Sequence, residues 1–141
     1  MPIGTPEQLD LLLPMWRELK AESREARQRA YARYSGFKVG AALQTEDGRI
    51  FTGCNVENAS YGLTICAERV AVCSAIAAGA SRVVAVCVSL TGVAVPCGTC
   101  RQFLHEFNPD MLVLLDDLNS PDNVPELVSL PTLLPRPFSL L

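Results

Sequence analysis

The sequence predicts an α/β fold: a three-layer α/β/α sandwich with a central mixed sheet. Segments of helical periodicity alternate with short apolar, β-branched runs along the chain. One of those runs, Val83 to Leu90, is apolar almost throughout, as a strand covered on both faces must be. Another pair of runs is joined through Asp47-Gly48, a hairpin signal.

The elements follow in order. Thr5 before Pro6 reads as an N-cap with proline at the first helical position, and Leu9, Leu12 and Leu13 form one apolar face. Pro14 breaks or kinks this helix. A second helix is expected from about Met15 to Ala32, with Trp16, Leu19, Ala26 and Ala30 as a packing stripe. Tyr34 to Gly36 reads as a loop, and Phe37 to Thr45 as a strand interrupted by Gly40. Ile50 to Asn55 is its hairpin partner. Cys66 to Ala78 is rich in helix formers and ends at Gly79. Val83 to Leu90 follows as a strand, then a helix from about Cys97 to Phe107, then a strand from Met111 to Leu115. The tail from Asp116 to Leu141 is rich in proline. One short helix is expected near Leu130 to Leu134, without a clear strand before it.

Composition bounds the function. The 141 residues fit one domain, 1–141, with a core that needs no disulfides. A net charge of -3 without basic runs argues against a nucleic-acid surface. Met1-Pro2-Ile3-Gly4 lacks the charged start of an export signal, and no apolar stretch is long enough to span a bilayer. No membrane association is expected, and a soluble, cytoplasmic protein is. In that reducing setting the six cysteines point to metal binding or catalysis rather than disulfides.

Two segments carry the chemistry: Cys66-Ala67-Glu68 and Pro96-Cys97-Gly98-Thr99-Cys100. A Cys-x-x-Cys opening a helix aims two sulfurs at one ion, and Cys66 adds a third. Catalytic zinc takes three protein ligands and leaves its fourth position for water. Each segment lies at an expected helix N-terminus, where the dipole favours thiolate over thiol. Three thiolates against Zn²⁺ leave one surplus negative charge, so Arg69 is a candidate donor to the sulfurs. Alone, a Cys-x-x-Cys also fits a thioredoxin-like redox pair or half of a structural zinc site. Together, the two segments match the three-cysteine variant of the zinc nucleobase deaminase pattern, in which the glutamate is the acid–base group. The only histidine, His105, sits inside the helix expected from about Cys97 to Phe107, five residues after Cys100, and reads as an ordinary surface or partly buried residue. Cys73 mid-helix and Cys87 mid-strand are expected as buried small residues. Cys54 lies at a strand end near the expected pocket. It is not assigned as a ligand, although it would be the means of closing a structural site.

Four segments in order resemble the small homotetrameric cytidine deaminases: Tyr34 to Leu43, Gly53 to Tyr61, Cys66 to Arg69 and Pro96 to Gln102. The resemblance implies a zinc-dependent enzyme that deaminates cytidine and deoxycytidine. It implies that Asn55 and Glu57 bind the ribose 3′-hydroxyl and that Phe37 packs on the nucleoside. Tyr61 and Phe138 would come from neighbouring subunits of a homotetramer. The Ala67 amide would hold the pyrimidine O2, and the Val95 carbonyl would receive the amino group. Three departures stand out: Arg33 where the family usually has proline, the variable stretch Gly62-Leu63-Thr64, and the proline-rich tail. Alternatives remain open at this point. One is a deaminase of blasticidin S or of other 4-substituted pyrimidine nucleosides. Another is a non-catalytic structural zinc module, which needs four ligands and no glutamate. A polynucleotide deaminase fits less well, because the chain is short and acidic.

Overall fold

Thr5 caps the first helix as its sequence requires. Its hydroxyl accepts from the Gln8 amide while the Gln8 side chain accepts from the Thr5 amide, closing a capping box. The computed structural model describes residues 4–141. Met1 to Ile3, on which the reading of no export signal partly rests, lie outside the described residues. The helices are α1 (Pro6–Leu12), α2 (Trp16–Arg27), α3 (Ala67–Ala77), α4 (Gly98–Phe107) and α5 (Leu130–Leu133). The strands are β1 (Gly40–Thr45), β2 (Ile50–Cys54), β3 (Val83–Leu90), β4 (Leu112–Asp117) and β5 (Glu126–Ser129).

The five strands form one mixed sheet in the order β2-β1-β3-β4-β5. β1 runs antiparallel to both β2 and β3, β3 and β4 are parallel through α4, and β5 returns antiparallel to β4. Alternation along β1 sorts the two cores. Ala41 and Leu43 pack with Ala67, Ala71, Val72 and Leu104 of α3 and α4. Ala42 faces the other way, with Leu9, Leu13, Trp16 and Leu19 of the α1–α2 side. Helices therefore cover both faces, as the sequence predicts. No helix among the described residues is long and apolar enough to cross a membrane.

Several boundaries differ from expectation. α2 stops at Arg27 rather than Ala32, because Tyr31 leaves the helix to bridge Val56. Its amide donates to Asn55 O at 3.0 Å and its carbonyl accepts from Glu57 N at 2.8 Å. Ala30 therefore falls outside the helical stripe, and Ser23 completes it. Phe37 to Val39 precede β1 instead of forming its start. The tail contains a strand that its prolines conceal. Pro125 stands just before β5, an edge strand, and Pro131 sits in the first turn of α5, where no helical amide bond is lost. Cys73 is exposed rather than buried. The sheet-facing side of α3 is Ala67, Glu68, Ala71, Val72 and Ala75, and Cys73 points away from it.

One polar network crosses the α2 side of the sheet. Arg24 makes two hydrogen bonds to Asp116, at 2.8 and 2.7 Å, and Ser89 donates to the same carboxylate at 2.6 Å. The Asp116 side chain is 1% exposed. Removing a carboxylate from such a site strands a partly buried guanidinium and a buried hydroxyl. Asp116→Ala should therefore cost about 3 kcal/mol in urea unfolding. A loss below about 1 kcal/mol would mean that water replaces the pair.

Candidate metal centre

Cys66 is the N-cap of α3 and Cys97 the N-cap of α4, both with extended backbone. The two helices lie on the same face of the sheet, so their N-termini converge. Unpaired amides and the positive ends of both helix dipoles meet there. The Sγ atoms of Cys66, Cys97 and Cys100 all lie within 4.8 Å of one another, with Cys66 to Cys97 at 3.8 Å. A tetrahedral zinc with bonds of about 2.3 Å needs sulfurs about 3.8 Å apart. Cys97 Sγ also accepts from the Cys100 amide at 3.5 Å, which fixes its direction.

The electrostatics fit a thiolate cluster. Hydrogen bonding from Cys100, then from Arg69 and Cys97, pulls the Cys66 thiol down to about 5, against a smaller opposing effect of burial. Cys100 is pushed up, first by its hydrogen bond with Cys66 and then by burial and the Glu68 charge. Arg69 Nη2 lies 3.6 Å from Cys66 Sγ and 3.5 Å from Thr64 O. Its Nε is buried and has no hydrogen-bond partner among the described residues. A guanidinium in contact with Cys66 and Cys100, with one buried N–H still free, supplies the donors that metal-bound thiolates require of a neighbour. The donor set, its spacing and this free donor fit zinc. Cys54 is elsewhere, donating to Arg29 O at 3.6 Å, so no fourth cysteine closes the site.

Glu68 is 3% exposed, in the first turn of α3, and lines one cleft together with Cys66 and Cys97. Burial raises its pKa above the ordinary carboxylate range, and the nearby Cys66 charge adds to this. Ala67 and Val95 line the same cleft, whose volume is about 200 Å³. Val39, of the segment Tyr34 to Leu43, and Thr64, of the variable stretch, also line it, as do Val88 and Leu90, to which the sequence did not point. These last two are ordinary apolar residues whose role comes only from the topology. Thr64 also borders an adjoining cleft of about 280 Å³, lined by Tyr34, Ser35, Glu57, Asn58 and Tyr61.

The remaining expected residues are distributed unevenly. Asn55 lines the metal cleft, but its amide also bridges the 37–39 backbone. Nδ2 donates to Phe37 O at 2.8 Å, and Oδ1 accepts from Val39 N at 2.9 Å. The Glu57 carboxylate accepts from the Tyr34 and Ser35 amides at 2.9 and 3.1 Å and from the Ser35 hydroxyl. These bonds, the Ser35 hydroxyl first, lower its pKa. Tyr61 lines the adjoining cleft of its own chain, edge-on to Tyr34 at 6.1 Å. Phe37 is exposed and lines neither cleft. Phe138 is 68% exposed and borders a separate cleft with Gln102 and His105. Gln102, which the sequence left without a role, clasps the Phe138 backbone. Its Nε2 donates to Phe138 O and its Oε1 accepts from Phe138 N, both at 3.0 Å. His105 stands apart from the metal cluster, as expected.

The fold and site define a metalloenzyme class: a three-thiolate centre at paired helix N-termini, with a buried carboxylate facing an open cleft. A family model described as the cytidine and deoxycytidylate deaminase zinc-binding region matches residues 16–115. The cytidine deaminase of Sporosarcina psychrophila is 48% identical over 104 residues, covering 72% of this chain and 76% of that one. The cytidine deaminase of Mycobacterium tuberculosis (strain H37Rv) is 48% identical over 101 residues, 70% and 76% of the two chains. The 1.6 Å crystal structure of the Burkholderia pseudomallei cytidine deaminase aligns with a TM-score of 0.81 at 46% identity, covering 87% of this chain and 98% of that one. The chain belongs to the cytidine and deoxycytidylate deaminase zinc-binding family.

Alkylation followed by peptide mass analysis checks the ligand set. Zinc should protect Cys66 and Cys97, and a chelator should expose them. Cys87, fully buried with its thiol pushed up to about 12 by burial and then by Asp116, should stay unmodified in both states. Equal labelling of Cys66 with and without zinc would remove it from the site.

Proposed function

We propose that this chain, acting as one domain over 1–141, hydrolyses cytidine and deoxycytidine to uridine and deoxyuridine with release of ammonia, as a cytoplasmic enzyme of pyrimidine salvage. One observation carries this reading: the buried Glu68 lines the same cleft as Cys66 and Cys97 of a three-thiol cluster. Cys66, Cys97 and Cys100 hold the zinc. When bound, it supplies a Lewis acid that lowers the pKa of water at the open position.

The protein's own groups do the rest. Glu68 takes a proton from the attacking water and delivers it to N3 of the pyrimidine. The water oxygen bonds to C4, giving a tetrahedral carbon. Glu68 then takes the proton of the new C4 hydroxyl and carries it to the amino group; the C4–N bond breaks as the C4 carbonyl forms, and ammonia leaves. A carboxyl with a raised pKa suits this alternation between base and acid. The Ala67 amide, in the first turn of α3, has no helical acceptor and is free for the pyrimidine O2. The Val95 carbonyl takes the amino group. Asn55 keeps a second Nδ2 hydrogen, and the Glu57 carboxylate keeps lone pairs beyond its three donors. Both are assigned to the ribose 3′-hydroxyl, and Phe37 to the nucleoside face. Arg69 offsets the surplus thiolate charge.

The quaternary reading is a homotetramer. Phe138 does not line the metal cleft of its own chain and is exposed, which suits a side chain offered to a neighbour. Tyr61 would border a neighbour's site as well as the cleft of its own chain.

Loss of cytidine absorbance, run over a panel of pyrimidine nucleosides and bases with zinc stoichiometry in parallel, tests the reading. Glu68→Ala should keep its zinc and lose about 10⁴-fold in kcat. Full activity in that variant would refute the proton path. Preference for blasticidin S or another C4 substituent would move the substrate assignment, and zinc without any turnover would favour a structural module. Sedimentation should give four chains per particle, and Phe138→Ala should lower activity with zinc content unchanged.

A further inference from the structure

Two glycines on neighbouring strands stand where no side chain fits. A Cβ on Gly53 of β2 would lie 2.5 Å from Ala67 O, 2.5 Å from Ala71 N and 3.1 Å from Ala71 Cα. Those two backbone atoms are the acceptor and donor of the first-turn hydrogen bond of α3, so the bare Gly53 Cα rests on the turn that carries Glu68. A Cβ on Gly40 of β1 would lie 2.0 Å from Ser23 O and 2.6 Å from Arg27 N, in the middle and last turn of α2. The steric demand is greater at Gly40, but α2 holds none of the proposed site residues.

We propose that Gly53 is a positioning residue: its missing side chain sets how closely the first turn of α3 approaches β2. It thereby sets where Cys66 and Glu68 stand relative to Cys97 and Cys100. The displacement an added methyl demands is differential. Cys97 and Cys100 begin α4, which has no atom among the three nearest to a Gly53 Cβ, whereas Cys66 and Glu68 flank the blocked Ala67 carbonyl. Moving those atoms from 2.5 Å to ordinary contact takes roughly 1 Å. A misplacement of that size costs about a hundredfold in a positioned reaction. Gly53 also precedes Cys54 and Asn55, so the same contact keys the β2 end of the cleft to its metal end. In register, Gly53 stands opposite Ala41, whose buried methyl faces the same α3 layer.

The kcat part of the test rests on the proposed deaminase activity, and the metal part does not. Gly53→Ala and Gly40→Ala are compared with wild type in three measurements: thermal midpoint, cytidine turnover per folded chain, and the visible spectrum and chelator resistance of the cobalt-substituted protein. Both variants should lose thermal stability. Gly53→Ala should lower kcat about a hundredfold with KM changed far less. It should also weaken metal retention about tenfold and shift the cobbalt–thiolate bands. Gly40→Ala should leave kcat, metal retention and spectrum within about twofold of wild type. If Gly53→Ala does not accumulate, the Ala41→Gly/Gly53→Ala double variant moves the methyl across the register pair at constant volume, and it should show the same metal and kcat defects. Gly53→Ala, or that double variant, with wild-type spectrum and turnover would overturn the proposal. Equal site defects in Gly40→Ala would do so too. Wild-type protein inactive on cytidine, with the cobalt spectrum still altered by Gly53→Ala alone, would refute the substrate and leave the positioning role standing.

Discussion

Everything in this molecule that bears on function is arranged around a concentration of negative charge. Three thiolates and one carboxylate are brought together where Glu68 and Cys100 are buried. In isolation such a cluster would repel itself or take up protons, as the raised pKa values of Glu68 and Cys100 indicate. Three features offset it: the N-terminal dipoles of α3 and α4, the Arg69 guanidinium, and the divalent cation the sulfurs are spaced to hold. The dipoles act only if both helices begin at the same place on the same face. The order β2-α3-β3-α4-β4 achieves this by bringing the chain back to that face twice.

Holding two helix ends in register takes support on several sides. α3 lies close to the sheet because Ala67, Ala71 and Ala75 line its inner side and Gly53 offers no side chain to them. The start of α4 is tied from outside. Arg101 donates to Pro96 O at 2.8 Å, just before Cys97, and to Leu133 O at 3.0 Å at the end of α5. The loop leaving β3 is anchored by Asp117, whose carboxylate accepts from Gly92 N and Asn119 N, both at 2.8 Å. On the opposite face, Arg24, Asp116 and Ser89 lock α2 to the ends of β3 and β4. The metal centre thus sits on rigid elements, with its flanking loops tied by charged hydrogen bonds.

Legibility in the sequence followed the length of the signal. Cys66-Ala67-Glu68 and Cys97 to Cys100 were readable because metal geometry demands those residue types at helix starts, and the structure brings their sulfurs together. Val83 to Leu90 was readable because a strand buried on both faces is apolar at nearly every position, Ser89 alone being polar and bonded to Asp116. β5 was not, because four residues between prolines show no periodicity and the strand exists only through its pairing with β4. The end of α2 was set by the Tyr31–Val56 bridge, a tertiary contact that outweighs the helical propensity of the residues after Arg27. The exposure of Cys73 is not legible in the sequence, because composition identifies a helix but not which of its faces meets the sheet. Gln102 carried no signal, since its partner is a backbone 36 residues away.

The residues assigned to the ribose show how one side chain serves fold and site together. Asn55 and Glu57 look free for a ligand in the sequence, yet both are engaged with backbone between Tyr34 and Val39. That engagement prepares the site. An amide whose Oδ1 and one Nδ2 hydrogen are already committed has a fixed plane, so its second hydrogen points in one direction without further loss of rotamer freedom. A carboxylate held by two amides and a hydroxyl stays ionised, as its lowered pKa indicates, and so remains an acceptor for a sugar hydroxyl. On the proposed reading, the loop that borders the pocket and the groups that recognise the sugar are the same hydrogen-bonded unit. Replacing either side chain would loosen that loop as well as remove a contact. Weaker substrate binding in such a variant is then evidence for a sugar contact only if the 34–39 backbone is shown to keep its place.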